Sequence, residues 1–300
     1  MTSPARQRLD YALLYGLYLA ARPLPRRWLL AVGRAAGALV WRTGAYRRDV
    51  VLANLRHAFG GERDEAGLRD LAAAFYRNLG MTLMEFLALP RLRPADVIAL
   101  VAVEGAEHLE EVRRRGRGGL LVSGHFGNWE LLGARVAAEG RPVNFIVKTQ
   151  HNLRVDRLQN GIRQRIGIGT IRAGASVREM ILALRRQEWI GLLADQDAGS
   201  DGVFCEFLGR QAAVFRGAAY LAWKLDCPLL TGFIYRQPDG RHVVRIDPPV
   251  EADRSLPEDE AVRRLTEVHV RRLEAAVRRA PDHYFWVHRR WKTRPEGEVP

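Results

Sequence analysis

Cysteine is scarce in this chain of 300 residues: only Cys205 and Cys227 are present. Their separation matches no zinc spacing and supplies no disulfide framework, which suits a reducing compartment. An uncharged apolar run long enough to cross a bilayer as a helix needs roughly 20 residues, and the N-terminal run Tyr11 to Ala21 has 11. Arg22-Pro23 follows that run where small cleavage-site residues would stand, so no secretory signal is expected. Nucleic-acid motifs, internal repeats and low-complexity tracts are missing as well, and no nucleic-acid partner is expected. Also lacking is the glycine-flanked serine of a nucleophile elbow: Ser123 in Val122-Ser123-Gly124 has no glycine two positions before it.

What the chain does have is charge of one sign and a large apolar fraction. Lys+Arg of 47 against Asp+Glu of 34 leaves +13, mostly through arginine, which favours anionic partners such as phospholipid head groups, phosphorylated sugars or an acidic protein. The 47% hydrophobic content over this length suffices for one large α/β domain. Residues 46–300 are assigned to that domain and residues 1–45 to an N-terminal helical segment. In that segment two apolar stretches, 11–21 and 28–41, are flanked by Arg22, Arg26 and Arg27. They carry Tyr11, Tyr15, Tyr18, Trp28 and Trp41, residues that favour the water–lipid boundary. The pattern predicts a helical hairpin embedded in the membrane surface or a tilted helix just crossing it, the competing reading being two core helices of a soluble protein.

Apolar positions recurring every three or four residues predict a long amphipathic helix over 62–89, ending before Pro90. After Pro94 strands and helices alternate: strands at 143–147, 189–194, 229–235 and 242–246, and helices at 152–165, 212–225 and 258–279. A further helix over 176–186 is opened by the capping box Ser176 to Glu179. Alternation of this kind predicts an α/β fold, a mainly parallel or mixed sheet sandwiched by helices.

The chain is organised around 119–134, GLLVSGHFGNWELLGA. Gly119 to Ser123 suits a buried strand and Trp129 to Ala138 a helix, so His125 and Glu130 stand where one becomes the other. Gly124 and Gly127 permit a sharp turn and Asn128 suits a helix cap. An imidazole and a carboxylate across such a bend can make a general base: the carboxylate fixes the tautomer and stabilises the imidazolium while the second ring nitrogen takes a proton. Backbone N–H groups near Phe126 and Gly127 would then stabilise an oxyanion. The competing reading is a helix start that His125 and Glu130 merely cap and solvate. Asp195-Gln-Asp197 follows a strand, at the edge where open α/β sheets place ligands. Two acids alone complete no metal set, and Asp195 is expected to orient Arg163 or a sugar hydroxyl. Of Arg163 and Arg165, one is expected to face a phosphate.

His125 to Glu130 resembles the His-x4-acid motif of the lipid A biosynthesis (late) acyltransferases, relatives of the glycerolipid acyltransferases. Four further stretches agree in order. Asn160 to Gly167 is similar to the family's arginine segment, Leu193 to Asp197 to its Asp-Gln-Asp segment, Phe204 to Gly209 to its Phe-Phe-Gly loop, with Leu208 departing, and Tyr284 to Pro295 to its C-terminal signature. The resemblance implies transfer of a fatty acyl group from acyl-carrier protein to a hydroxyl of a membrane glycolipid such as a lipid A precursor, and with no activated nucleophile in the sequence direct transfer is the simplest path. It places that reaction at the cytoplasmic face of the bacterial inner membrane, without a cofactor. On this reading His125 is the base and Glu130 its orienter, with Arg163, Asp195, Asn128 and Arg165 toward substrate. Arg263, Arg264, Arg271, Arg272, Arg278 and Arg279 suit docking of an acidic carrier. The rivals are another glycolipid acceptor, a thioesterase using water, and a non-catalytic lipid-binding protein.

Overall fold

A computed structural model describes residues 3–174 and 177–295. In chain order, four helices come first: α1 (Pro4–Ala21), α2 (Arg26–Thr43), α3 (Arg48–Phe59) and α4 (Glu65–Ala88). Then follow α5 (Pro94–Leu100), β1 (Val101–Glu104), α6 (Ala106–Arg114), β2 (Leu120–Ser123), α7 (Trp129–Ala138), β3 (Val143–Val147), α8 (Leu153–Arg165), β4 (Ile168–Arg172), α9 (Val177–Arg185) and β5 (Trp189–Leu193). The chain ends with β6 (Val203–Phe207), β7 (Arg210–Val214), α10 (Gly217–Leu225), β8 (Leu229–Arg236), β9 (His242–Ile246) and α11 (Glu258–Arg279).

Seven strands form one sheet in the order β1-β9-β8-β2-β5-β3-β4, parallel throughout except where β9 runs against β8. β2 lies near the middle, between β8 and β5, and all four of its residues are buried. Successive side chains of a strand point to opposite faces. Leu121 accordingly joins a core with Leu131, Leu132 and Leu230, while Leu120 and Val122 join another with Ala218, Leu229 and Val262. A strand apolar on both sides is what a helix-sandwiched parallel sheet requires. The expected α/β class is what forms.

One predicted element is different. Residues 212–225 do not make one helix: Arg210–Val214 is a strand paired antiparallel with Val203–Phe207, and the helix starts only at Gly217. Ala212 and Ala213 favour helix locally, and pairing that buries Cys205, Phe207, Ala212 and Val214 overrides that propensity. Leu208 and Gly209, both at positive φ, make the tight turn between these two strands. The predicted cap Ser176 lies outside the described residues.

α2 crosses α4 where neither helix has side chains in the way. A Cβ on Gly37 would stand 2.0 Å from the Tyr76 carbonyl oxygen, and one on Gly80 2.1 Å from the Gly33 oxygen. With that face spent on α4, α2 leaves Trp28, Val32 and Leu39 exposed, and α1 does the same with Leu9, Leu13 and Leu17. Among the described residues no helix is long and apolar enough to cross a membrane.

Candidate active site

β2 delivers the chain to Gly124, where an added Cβ would press to 2.9 Å from a Leu273 methyl and 3.2 Å from the Asp195 side chain. The bend completes at Gly127, at φ +59, where a Cβ would meet the Ile234 carbonyl at 2.1 Å. Glycine is required at Gly127, and at Gly124 a side chain would crowd Leu273 and Asp195. His125 sits between them. Asp195, just past the end of β5, takes hold of it twice: Oδ2 accepts the His125 backbone N–H at 2.9 Å and Oδ1 lies 2.8 Å from Nδ1. A carboxylate oxygen only accepts when ionised, so Nδ1 carries the proton and Nε2 is the nitrogen left to take one. The ring meets Trp129 edge-on at 5.0 Å and lies 5.5 Å from Phe285. Burial works against charge on Asp195. The His125 ring and backbone N–H, with Arg290 behind, nevertheless hold its carboxyl below the usual carboxylate range.

The partner of the ring is therefore Asp195, and the expectation for Glu130 is corrected. The Glu130 carboxylate is gripped by Arg163, Nη2 at 2.5 Å and Nε at 3.0 and 3.1 Å, a fork on a carboxylate. Arg163 is thus oriented by Glu130, where Asp195 was expected, and Nη1 donates to Asn160 at 3.1 Å. Asn128 is fully buried, which takes it away from substrate. Its Oδ1 caps α7 by accepting from the Leu131 N–H at 3.1 Å, and its Nδ2 donates to Glu85 at 3.0 Å. Arg165 turns to the Tyr18 hydroxyl at 2.8 Å, on the side of α1. The two backbone donors expected to form an oxyanion hole are also spent: Phe126 N–H on the Gly124 oxygen at 2.7 Å, and Gly127 N–H on the His283 oxygen at 2.8 Å.

The C-terminal signature works as a strap over this bend. Phe285 N–H donates to the His125 oxygen at 3.0 Å, the Tyr284 hydroxyl to the Asp195 oxygen at 3.3 Å, and Asn54 Nδ2 holds the carbonyls of Trp286 and His288, both at 2.7 Å. Asp197 fastens the end, accepting from Thr293 N–H and Oγ1 at 3.0 Å each, while its own N–H donates to His288 Nε2 at 2.9 Å. The aspartates of Asp195-Gln-Asp197 are thus divided: one serves the histidine, the other the strap. Arg290, of the same C-terminal signature, is buried and donates to the Ala213 oxygen at 2.8 Å.

Other nucleophiles are poorly placed. Burial pushes the Cys205 thiol up to about 11 and that of Cys227 to about 12, far from thiolate at neutral pH. Ser123 Oγ is buried and donates to the Gly232 oxygen at 2.6 Å. What remains is an oriented imidazole at a strand-to-helix bend, fit to draw a proton from an incoming hydroxyl.

The sequence reading missed the pairing of Asp195 with His125. Its signal is the β2–β5 register, in which Ser123 faces Leu193; two residues further on, the same register brings 125 to 195. Sequence places both motifs at strand ends, but not those strands side by side.

Residues 2–293 match the family of bacterial lipid A biosynthesis acyltransferases. The chain belongs to that family. The acyltransferase is 32% identical to the lipid A biosynthesis lauroyltransferase of Escherichia coli K12, over 91% of this chain and 88% of the relative. It is 28% identical to the lipid A biosynthesis palmitoleoyltransferase of the same strain, over 92% and 88%, and 24% identical to its lipid A biosynthesis myristoyltransferase, over 97% and 88%. Three different acyl groups stand in those names. Membership of the family therefore fixes the class of chemistry on this acyltransferase, a transfer of acyl groups, without fixing the chain transferred.

Proposed function

We propose that this acyltransferase moves a fatty acyl group from acyl-carrier protein to a hydroxyl of a lipid A precursor or similar glycolipid, with His125 as general base held by Asp195. The observation that carries the reading is the double grip of a buried carboxylate on His125, which fixes the tautomer and leaves Nε2 as the proton acceptor. As the hydroxyl attacks the thioester carbonyl, its proton passes to Nε2 and the imidazolium is stabilised by Asp195. The tetrahedral intermediate then collapses with loss of the carrier thiol, which recovers the proton. No covalent acyl-enzyme is required. With Phe126 and Gly127 N–H spent, the positive end of α7 takes over the electrostatic support of the oxyanion. Glu130 acts through Arg163, whose guanidinium has more N–H groups than its contacts with Glu130 and Asn160 use, and these are offered to substrate oxygens.

The acceptor's lipid nature is supported by the exposed apolar faces of α1 and α2. We read these faces as lying in the surface of the bacterial inner membrane, on the cytoplasmic side, without crossing it. Of the six α11 arginines, three are paired with carboxylates in place: Arg263 and Arg264 with Glu260, Arg263 also with Glu267, and Arg278 with Glu274 and Glu62.

The test is acyl transfer by purified protein with a carrier-bound acyl thioester and a lipid A precursor, comparing His125→Ala, Asp195→Asn and the double variant. A positioned base contributes about 10²- to 10⁴-fold, so His125→Ala should lose at least that in kcat. Asp195→Asn should lose a large part of it, and the double variant should match His125→Ala, because the pair acts as a unit. A folded His125→Ala that still transfers at near the wild-type rate would end this mechanism. Release of free fatty acid in place of acylated lipid would make the protein a thioesterase.

A further inference from the structure

Behind the bend lies a buried carboxylate that the chemistry above leaves unused. Glu85, late in α4, is 5% exposed, and side chains from four other elements converge on it. Arg26 of α2 donates to Oε1 at 2.6 Å, Arg236 of β8 to Oε2 at 2.8 Å, and the His242 ring of β9 lies 3.2 Å from Oε1. The fourth partner is Asn128 Nδ2, 3.0 Å from Oε2. Burial opposes charge on Glu85, but His242 and Arg236 outweigh it and hold the carboxyl well below the ordinary range.

Asn128 is the cap of α7, three residues after His125 and two before Glu130. Capping needs only its oxygen, and serine, threonine or aspartate would supply one. An asparagine adds a donor, and here the donor goes to Glu85. Since Asn128 is fully buried, bulk water does not compete for that contact.

We propose that Glu85 is a positioning residue for acyl transfer: by holding the Asn128 amide it sets the angle at which α7 leaves the bend, and so the placement of His125 and of the Glu130–Arg163 pair. The proposal rests on the reading of His125 given above. It gives the cluster a purpose beyond joining α2, α4, α7, β8 and β9, because the one contact facing the reacting groups is made through a cap that did not need it.

Asn128→Ser separates the two jobs, since serine keeps a capping oxygen and loses the donor, while Arg26, Arg236 and His242 still satisfy Glu85. Misplacing reacting groups by about 1 Å costs on the order of 100-fold. Full-length Asn128→Ser should accordingly lose about 10- to 100-fold in kcat, with KM for donor and acceptor within about twofold of wild type and an unchanged circular dichroism spectrum. If Glu85→Gln folds, its loss and that of Asn128→Ser should not multiply. A kcat for Asn128→Ser within about twofold of wild type overturns the proposal, as do losses that multiply. His125→Ala, measured alongside, separates the two readings: if it is inactive while Asn128→Ser is fully active, only the tether falls, and if it is active, the site itself has been misread.

Discussion

At the scale of single residues, two buried carboxylates, Glu85 and Asp195, contribute to how the protein answers to acid, as does buried His269, whose value burial lowers to about 4. Both carboxylates are held below their ordinary values of 4.5 and 3.8, so the native state keeps them ionised at a pH where the unfolded chain has begun to bind protons. Their stabilisation is present in full above the ordinary values and is lost as pH falls through the lower native ones. The midpoint of thermal unfolding should therefore drop steeply below about pH 4. A midpoint that stays level from pH 6 to pH 3 would show that these carboxylates are not charged in the folded protein. His125, Glu130, Arg163 and Asp195 are each visible in the sequence as polar residues in motifs at element ends. Who pairs with whom is not. Glu130 is the nearer acid along the chain, yet α7 carries it toward Arg163, and the acid that reaches the ring comes from 70 positions away, across adjacent strands. Proximity in sequence was the misleading cue, because the first turn of α7 directs Glu130 to the side where Arg163 of α8 stands.

Among the elements, the crossing of α2 on α4 gives the sharpest test of packing. Gly37→Val has no room beside the Tyr76 carbonyl and should lower stability by about 1–3 kcal/mol or more. Ala36→Val, on the exposed side of the same helix, should change it by less than about 0.5 kcal/mol. Urea denaturation of both variants decides the matter; equal midpoints would mean the helices do not touch at these glycines. The strap makes a second test. Phe285 covers the His125 ring and its N–H holds the His125 carbonyl, so Phe285→Ala should cost activity through the looser ring while Asp197 and Thr293 still fasten the segment. Transfer assays on a variant with an unchanged melting profile check this, and full activity would leave Phe285 without a role at the site. Elements with a strong period were legible: the apolar stripe Val262, Leu265, Leu273 and Val277 of α11 is buried as the spacing requires. The β6–β7 hairpin was not, because Ala212 to Val214 carries no period and acquires strand structure only from its partner.

For the whole molecule, the exposed leucines of α1 and the Trp28 face of α2 predict binding to vesicles that salt only weakens, since screening removes arginine contacts and leaves apolar burial. Leu13→Glu with Leu39→Glu should release more protein from sedimented vesicles than high salt does. Complete release of the wild type by salt would make the attachment purely electrostatic. Removing the whole N-terminal segment is a poorer test, because it would also take Arg26 from Glu85 and Gly37 from α4. The strap over His125 also bears on the timing of synthesis. Phe285 leaves the ribosome about 160 residues after His125, which at roughly 5–20 residues per second is on the order of ten to thirty seconds. Through that interval His125 is without the segment that closes over it. On the reading proposed above, the growing chain can meet a lipid surface through α1 and α2 well before the strap over His125 is in place.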